Sequence, residues 1–175
     1  MVIETPRLIL RKFVPEDFPN LYELLSDPVT MQHYPRPYDE AGARRWLSWS
    51  LENYEKHGFG WWVVEDKTNG RFMGDCGITL QRINGQLLPE IGYHLHHPFW
   101  RQGYGSEAAR AVRDWGFQNT DYPALYSYMT TDHKGSWRTA EKIGMKRVDE
   151  YTEDGEALYV YRITRKEWEA LEKML

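Results

Sequence analysis

A glycine-rich junction between an extended segment and a helix is the first feature of this sequence that indicates a binding site. In the segment HHPFWRQGYGSEAARAV, residues 96–112, Gly103 and Gly105 stand in the turn and Arg101 precedes them. The first N–H groups of a helix have no partner inside the helix, and their partial positive charge can hold a phosphate. The motif is not a Walker loop, which ends in GKS or GKT, and it is not GxGxxG, because Ala108 takes the place of the third glycine. These residues indicate an anion site that is not typical of nucleoside triphosphates or dinucleotides.

Further polar residues lie close to this junction. Glu90 belongs to the extended segment that leads into it, and TDHKGS, residues 131–136, forms a second turn between an extended segment and a helix. Where adjacent parallel strands separate, their carboxyl ends form a common ligand site in α/β sheets. A tight loop whose glycines only allow the chain to turn explains Gly103 and Gly105 as well, but the neighbouring second turn favours the phosphate site.

The elements that must position these residues alternate between strands and helices. Alternating and β-branched patterns, with Asn-Gly turns at 69–70 and 84–85, predict strands at 7–13, 60–66, 71–81, 86–97, 125–131, 145–151 and 156–163. Helical spacing and capping residues predict helices at about 16–26, 39–57, 103–118, 136–143 and after Thr164. The unit at 90–131 must be a right-handed parallel βαβ crossover. The order indicates a single α/β domain over residues 1–175.

The composition excludes several classes of protein. With 22 Lys and Arg against 26 Asp and Glu, the net charge of −4 argues against direct nucleic-acid binding, which needs a basic surface. The one cysteine, Cys76, cannot form an internal disulfide and is predicted to be a small core residue in a reducing compartment. Because no signal-peptide pattern and no long apolar stretch is present, we expect a cytoplasmic protein without membrane contact.

Three sequence motifs are spread along nearly the whole chain, and their occurrence in this order is far more specific than any one of them. They are ETPRLILR at 4–11, EIGY at 90–93 followed by FWRQGYGSEA at 99–108, and Ser136 followed by AEKIGM at 140–145. In these motifs the sequence resembles the GNAT superfamily of acetyl-CoA-dependent N-acetyltransferases, and in particular its branch of bacterial ribosomal-protein N-terminal acetyltransferases, the Rim type. Two positions depart from the pattern: Trp100 begins the phosphate motif, and His133 replaces an asparagine.

The resemblance implies a fold and a cosubstrate site. The fold would be of the α+β kind, a mixed and mainly antiparallel sheet with a parallel, splayed central strand pair, flanked by helices. Acetyl-CoA would lie between the strands at 90–96 and 125–131, with its pantetheine along 94–96 and its pyrophosphate on the N–H groups of 102–106. The residues expected to bind it are His94, Leu95, His96, Arg101, Gln102, Gly103, Tyr104, Gly105, Ser106 and His133.

For the reaction, the resemblance implies direct attack of an amine on the thioester. Glu90 is the candidate general base, acting through a water, and a backbone N–H near Leu95 would stabilise the oxyanion. An exposed carboxylate or a salt-bridge partner is the equal alternative for Glu90. Ser136 resembles the residue that protonates the leaving thiolate, and the preferred alternative for it is a helix N-cap.

The acceptor would be a primary amine, on a protein N-terminus or a small molecule, and the enzyme would be a monomer or a homodimer. The loop at 31–38 is where the resemblance places acceptor-binding residues, here Tyr34 and Tyr38, although a packed proline-rich connector is the other interpretation. Tyr128 is a further candidate in this pocket and a rival proton donor, with packing in the sheet as the preferred alternative.

Metal binding and other functions have weaker support. His94 and His96 share one strand face and His97 follows, but no cysteine or carboxylate at a recognisable spacing completes a ligand set, so we expect no metal. Trp61 and Trp62 point to opposite faces of one strand, so that one is core and the other can line the acceptor pocket.

A non-catalytic acyl-CoA-binding or sensor module is the alternative function. ATP binding is disfavoured, because a Walker lysine is missing.

Overall fold

A single mixed sheet forms the centre of the molecule in the computed structural model, which describes residues 2–175. Its strands are β1 (Val2–Glu4), β2 (Leu8–Lys12), β3 (Trp61–Asp66), β4 (Phe72–Ile83), β5 (Gln86–Leu95), β6 (Ala124–Thr130), β7 (Lys146–Glu153) and β8 (Glu156–Thr164). Their spatial order is β1-β2-β3-β4-β5-β6-β8-β7. The helices are α1 (Phe18–Ser26), α2 (Glu40–His57), α3 (Tyr104–Asn119), α4 (Lys134–Lys142) and α5 (Arg165–Glu172), with 3₁₀ turns at Pro15–Asp17 and His97–Phe99.

The pairing of β5 with β6 is parallel, whereas every other neighbouring pair in the described sheet is antiparallel. The register between β5 and β6 contains one pair, Glu90 with Tyr126, and the two strands diverge beyond it. Ser127 holds the junction together by donating a hydrogen bond from its hydroxyl to the carbonyl of Ile91. The expected mixed sheet with a splayed parallel pair is therefore confirmed.

Two-residue turns set the register of the hairpins that flank this pair. Asn84 and Gly85 both have positive φ, of 46° and 80°, which is the type I′ geometry that matches the twist of a hairpin. Each residue of β4 then faces the residue of β5 that lies equally far from the turn, so that Asp75 faces His94 and Thr79 faces Glu90. This register brings the polar residues of β4 to the site residues of β5.

Helices cover both faces of the sheet. On one face Trp62 is buried against Trp115 of α3, with ring centroids 4.8 Å apart. On the other face Trp61 packs against Trp46 of α2 at 5.0 Å. Cys76 is fully buried, as expected for a small core residue. The two tryptophans point to opposite faces, as the alternation of a strand predicts.

The helix boundaries agree with the sequence predictions except at α4. The capping box at Thr164 is confirmed, since its hydroxyl accepts a hydrogen bond from the N–H of Glu167 at the start of α5. Helix α4 begins at Lys134, two residues before the predicted start at Ser136. Within residues 2–175, none of the helices has the length and apolar character that a membrane span requires.

Candidate active site

The amino-terminal end of α3 lies where β5 and β6 separate. Arg101 and Gly103 have φ values of 62° and 83°, so the chain makes a left-handed turn immediately before the helix. The N–H of Glu107 bonds the carbonyl of Gly103 at 3.1 Å, which is the first bond of the helical ladder. The N–H groups that precede it have no acceptor inside the helix, and they give this end a partial positive charge.

The opening sequence motif explains how this helix end is held. The carboxylate of Glu107 accepts hydrogen bonds from the hydroxyl of Thr5 at 2.6 Å and from Nε of Arg7 at 2.7 Å. The Arg7 guanidinium also donates to the carbonyl of Gln102 at 3.0 Å and lies over the ring of Tyr104. Although partial burial opposes it, these hydrogen bonds lower the pKa of Glu107. The sequence motifs at 4–11 and 99–108 are thus in direct contact in the structure.

A cavity of about 620 Å³ opens in front of this helix end. Of the residues predicted to bind the cosubstrate, those that line it are His94, Leu95, Arg101, Gly103, Tyr104, Gly105, Ser106 and His133. A Cβ at Gly105 would lie 3.7 Å from Leu95 Cδ1 and 4.0 Å from Thr139 Oγ1, both in the cavity wall. A side chain at this position would therefore occupy the cavity itself.

His96 and Gln102 are the predicted binding residues that lie outside the lining of this cavity. The His96 N–H donates to the carbonyl of Met73 in the sheet at 2.9 Å. The Gln102 amide donates to the carbonyl of Pro98 at 3.1 Å. Both residues contribute local structure next to the cavity.

The backbone of β5 presents its free edge to the same cavity. Since the N–H of His96 points to β4, the alternation of a strand directs the N–H of Leu95 to the opposite edge, into the gap beside β6. The carbonyl of Leu95 lies on that edge and accepts a hydrogen bond from Nε1 of Trp100 at 2.7 Å. Trp100, the departure from the phosphate motif, thus has a structural contact of its own.

A second cavity, of about 560 Å³, adjoins the first and lies over the face of β5 that carries Glu90. Its aromatic wall consists of Tyr34, Tyr38, Trp46, Trp61 and Tyr128. Trp61 can approach the strand because Gly92 has no side chain: a Cβ there would lie 2.2 Å from the indole ring. Five residues besides His133 line both cavities, namely His33, Tyr34, Tyr93, His94 and Ser136.

Glu90 lies in the wall of this second cavity and is only 7% exposed. Burial raises its pKa to about 8, and a hydrogen bond with Thr79, its partner on β4, opposes the shift. It forms no ion pair with any residue between 2 and 175. Both structural alternatives, an exposed carboxylate and a salt-bridge partner, are therefore wrong, and what remains is a buried carboxyl group that can exchange a proton near neutral pH.

Ser136 is the third residue of α4, so the preferred interpretation of it as the N-cap is wrong. His133 occupies the cap position, and Gly135, which has open space around it, is accommodated in the first turn. The Ser136 hydroxyl faces Tyr93 at 3.4 Å, and the Tyr93 hydroxyl in turn donates to the Ser136 carbonyl at 2.6 Å. Ser136 therefore presents its hydroxyl at the junction of the two cavities.

His133, the departure from the asparagine of the motif, stacks on His33 with ring centroids 3.8 Å apart. Burial, together with the nearby His33 and His94, lowers the pKa of His133 to about 4. The ring is thus neutral at neutral pH and can accept or donate a hydrogen bond, as the amide of an asparagine does.

His94 connects the interior of the sheet to the junction of the cavities. Its Nδ1 lies 2.8 Å from Oδ1 of Asp75, a residue with no solvent exposure, and its Nε2 is hydrogen-bonded to the hydroxyl of Tyr34. Nε1 of Trp46 donates to the other oxygen of Asp75 at 3.1 Å. The two strands and the loop at 31–38 therefore share one polar network.

The histidines at the end of β5 have an acidic neighbour that the sequence analysis did not anticipate. Asp27, which follows α1, lies 2.8 Å from Nδ1 of His97 and 3.7 Å from Nε2 of His96. No sequence spacing reveals this carboxylate, because Asp27 and His97 are 70 residues apart in the chain. Although partial burial opposes it, hydrogen bonds from Thr30 and His97 lower the pKa of Asp27 to about 2. These bonds attach the end of α1 to the end of β5.

Several charged residues of the cavities escaped the sequence analysis. Lys134, Arg138 and Lys142 line the first cavity from one face of α4, and their spacing of four residues was the available signal. Glu153, Asp154 and Glu156, at the turn between β7 and β8, form an acidic rim on the second cavity. The first cavity is therefore suited to a polyanion, and the second to a cationic molecule.

The sequence matches the family described as "Acetyltransferase (GNAT) domain" over residues 7–146. A relative, the uncharacterized protein YkkB of Bacillus subtilis (strain 168), is 39% identical over 142 residues, which are 81% of this chain and 83% of the relative. An acetyltransferase from Agrobacterium tumefaciens str. C58 has a similar structure, with a TM-score of 0.81 and 29% identity over 93% of this chain and 94% of that one. The chain belongs to the GNAT family of acyltransferases.

Enzymes of the Rim type are among the solved structures with a similar fold. RimL, a ribosomal L7/L12 α-N-protein acetyltransferase solved in complex with coenzyme A, has a TM-score of 0.77 over 94% of this chain and 98% of its own. At 16% identity this likeness is one of fold. It shows a GNAT fold that binds coenzyme A.

Proposed function

We propose that residues 1–175 form a single N-acetyltransferase domain that transfers the acetyl group of acetyl-CoA to a primary amine by direct attack. The observation that carries the proposal is the meeting of two cavities at one point. One cavity has a helix end and four cationic side chains, from Arg101, Lys134, Arg138 and Lys142. The other contains the buried carboxyl group of Glu90.

The first cavity fits the phosphates and the pantetheine of acetyl-CoA. The free N–H groups at the start of α3 suit the pyrophosphate, and the cationic face of α4 suits a further phosphate. The edge of β5 that carries the N–H of Leu95 suits an extended amide chain. This placement directs the thioester to the junction of the cavities, where the Leu95 N–H can stabilise the oxyanion.

Glu90 acts as the general base. An acceptor that arrives as an ammonium ion must lose a proton before it can attack, and proton transfer is efficient when the pKa values of base and acid are close. The pKa of about 8 at Glu90 is close to that of an N-terminal amine and well below that of a lysine side chain. When the C–S bond breaks, the Ser136 hydroxyl stands at the junction to donate a proton to the thiolate.

The acceptor is a cationic primary amine, on a small molecule or a protein N-terminus. The acidic rim of the second cavity attracts positive charge, and the aromatic wall around Tyr34, Tyr38 and Tyr128 can surround an alkylammonium group through cation–π contacts. Both features favour an acceptor whose amine enters between the rim and Glu90.

The proposal is tested by incubating the purified protein with acetyl-CoA and a panel of primary amines, among them diamines and short peptides with free N-termini. We expect at least one amine to accelerate the release of free thiol over the rate without an amine, and mass spectrometry to identify its acetylated product. If acetyl-CoA binds and no amine accelerates thiol release, the chain is an acyl-CoA-binding module instead. If acetyl-CoA does not bind, the placement of the cosubstrate is also wrong.

A further inference from the structure

We propose that Tyr34, His94 and Asp75 form a second proton-accepting chain, in which the Tyr34 hydroxyl receives a proton from the acceptor nitrogen and passes its own to His94. This inference rests on the proposed acetyl transfer and adds a catalytic residue, Tyr34, that is distinct from Glu90. His94 is the final proton acceptor, and Asp75 is a positioning residue that acts through His94.

The geometry of the chain is continuous from the core to the cavities. Asp75 has no solvent exposure, and the His94 side chain is 8% exposed. Oδ1 of Asp75 lies 2.8 Å from Nδ1 of His94, and Nε2 of His94 is bonded to the Tyr34 hydroxyl. The rings of Trp46 and Trp61 pack against the imidazole at 5.4 Å and 5.0 Å and fix its plane. Tyr34 lines both cavities, so the open end of the chain lies where acetyl donor and acceptor meet.

The hydrogen bonds assign a direction to the protons. A carboxylate only accepts, so Nδ1 of His94 carries the hydrogen of its contact with Asp75. A neutral imidazole then has an unprotonated Nε2, which accepts the O–H of Tyr34. Because the hydrogen of Tyr34 is committed to His94, its oxygen offers only lone pairs to the cavity. It is therefore placed to accept a hydrogen bond from an N–H of the acceptor amine.

The reaction needs such a second acceptor, because a primary ammonium ion loses two protons before it becomes an amide nitrogen. Glu90 takes the first and leaves a neutral amine. As the amine forms the C–N bond, its nitrogen becomes positively charged. The second N–H bond breaks toward the Tyr34 oxygen while the Tyr34 O–H proton moves to Nε2 of His94. The C–S bond then breaks, and the thiolate takes the proton of the Ser136 hydroxyl. One of the two protons held by Glu90 and His94 restores that hydroxyl and the other leaves to solvent, so charge and protons balance.

Asp75 makes this transfer possible because an imidazolium ion surrounded by aromatic rings is costly without a counter-charge. Its second oxygen is held by Nε1 of Trp46 at 3.1 Å, which leaves the first oxygen oriented toward His94. With asparagine at this position, the amide N–H can donate to Nδ1. Nε2 would then carry the hydrogen, and the chain could no longer accept a proton from Tyr34.

The test is a mutant cycle in the full chain, with acetyl-CoA and an amine that the wild-type protein acetylates. At saturating acetyl-CoA, Tyr34→Phe, His94→Gln and Asp75→Asn are each expected to lower kcat by about 10²-fold or more, the usual contribution of a proton-transfer group. For Asp75→Asn, whose side chain lines neither cavity, the acetyl-CoA Kd should also be unchanged. Because the three residues act as a unit, the double variants Tyr34→Phe/His94→Gln and Tyr34→Phe/Asp75→Asn should lose no more than the single variants. Tyr122→Phe, which removes a half-buried hydroxyl outside both cavities, is the matched control and should retain wild-type kcat.

The outcomes separate this inference from the proposed function. If wild type transfers acetyl groups and Tyr34→Phe retains its kcat, or only raises KM, the proton chain is wrong and the acetyltransferase stands. Losses that multiply in the double variants would also overturn the chain, since a merely structural role of each residue predicts independent effects. If Asp75→Asn does not fold, the Tyr34→Phe/His94→Gln pair decides alone. If wild type transfers no acetyl group to any amine, the proposed function fails and the chain fails with it.

Discussion

Glu90 and Tyr126 face each other across β5 and β6, and theirs is the one register pair between these strands in the described part of the chain. From this point both strands run toward their carboxyl ends without further pairing to each other, and α3 and α4 begin beyond those ends. The divergence exposes the backbone edge at Leu95, and Glu90 stands at its base. One geometric feature thus creates both the cleft for the cosubstrate and the position of the base.

The amino-terminal end of α3 gives the first prediction. Gly105→Val should abolish detectable acetyl-CoA binding, because its side chain would project between Leu95 and Thr139 into the cavity. The same contacts leave room for a Cβ in the free protein, so the melting temperature without ligand should not fall. Isothermal titration with acetyl-CoA measures the first effect, and Gln118→Val, on the exposed part of the same helix, is the control that should bind normally. Normal binding by Gly105→Val would contradict the placement of the pyrophosphate.

Removing the charge of Glu107 should weaken the helix end without touching the cavity wall. Glu107→Gln keeps the shape of the side chain, but it loses the charged partner of Thr5 and Arg7. We expect the free energy of unfolding to fall by about 1–2 kcal/mol, as for other hydrogen bonds to a charged group that is partly buried. Urea denaturation checks this value. Unchanged stability would mean that the contact between the two motifs has no energetic role.

Ser136→Ala separates a catalytic role from a structural one. Because Ser136 is not the cap of α4, and its carbonyl keeps the bond from Tyr93, the variant should be within about 0.5 kcal/mol of wild type in stability. Thr164→Ala is the matched control: it removes a true N-cap from α5 and should cost about 1 kcal/mol. If the hydroxyl protonates the thiolate, Ser136→Ala loses turnover at full stability. Wild-type turnover would remove Ser136 from the mechanism.

The buried carboxyl of Glu90 should make the stability of the protein depend on pH. In the folded state its pKa is raised to about 8, whereas in the unfolded chain it returns to its ordinary value near 4.5. Between these values the folded state holds more protons, so the free energy of unfolding falls as pH rises through this window. The amide in Glu90→Gln does not titrate, so the variant's free energy of unfolding does not fall for this reason. The difference in free energy of unfolding, variant minus wild type, should therefore rise by an amount on the order of a few kcal/mol between about pH 5 and 8.

Thermal melts at several pH values measure this difference, with Glu150→Gln on the exposed strand β7 as the control. The control should follow wild type at every pH. A difference between Glu90→Gln and wild type that does not change with pH would show that Glu90 ionises normally in the folded protein.

The order of the elements, apart from the short edge strand β1, could be predicted because local signals agreed with the fold. Asn84-Gly85 adopts the positive φ values that a two-residue hairpin requires, and Thr164 caps α5 with Glu167. The predicted start of α4 at Ser136 is wrong, because the turn predicted over residues 131–136 ends earlier and the helix begins at Lys134. With ordinary φ and open space, Gly135 is tolerated in the first helical turn.

The polar network of the site was only partly within reach of the sequence. The Asn84-Gly85 turn, taken as the centre of a hairpin, already places Asp75 opposite His94, and a carboxylate in the otherwise apolar segment 72–78 requires a partner. Tyr34 could not be placed on His94 in this way, because it lies in an irregular loop whose path depends on packing against α2. The acidic rim from β7 and β8 likewise depends on the tertiary arrangement of strands that are distant in sequence.

The most direct test of the central claim is the pH dependence of kcat for acetyl transfer by wild type and Glu90→Gln. At about pH 6 the Glu90 carboxyl group of wild type is protonated and, like the amide in Glu90→Gln, cannot accept a proton, so the two proteins should differ little. Toward pH 8 the wild-type rate should rise as the carboxylate forms. The variant should then be slower by about 10²-fold or more, with unchanged acetyl-CoA affinity. Equal rates for the two proteins at pH 8 would contradict the account, because Glu90 would then not be the base.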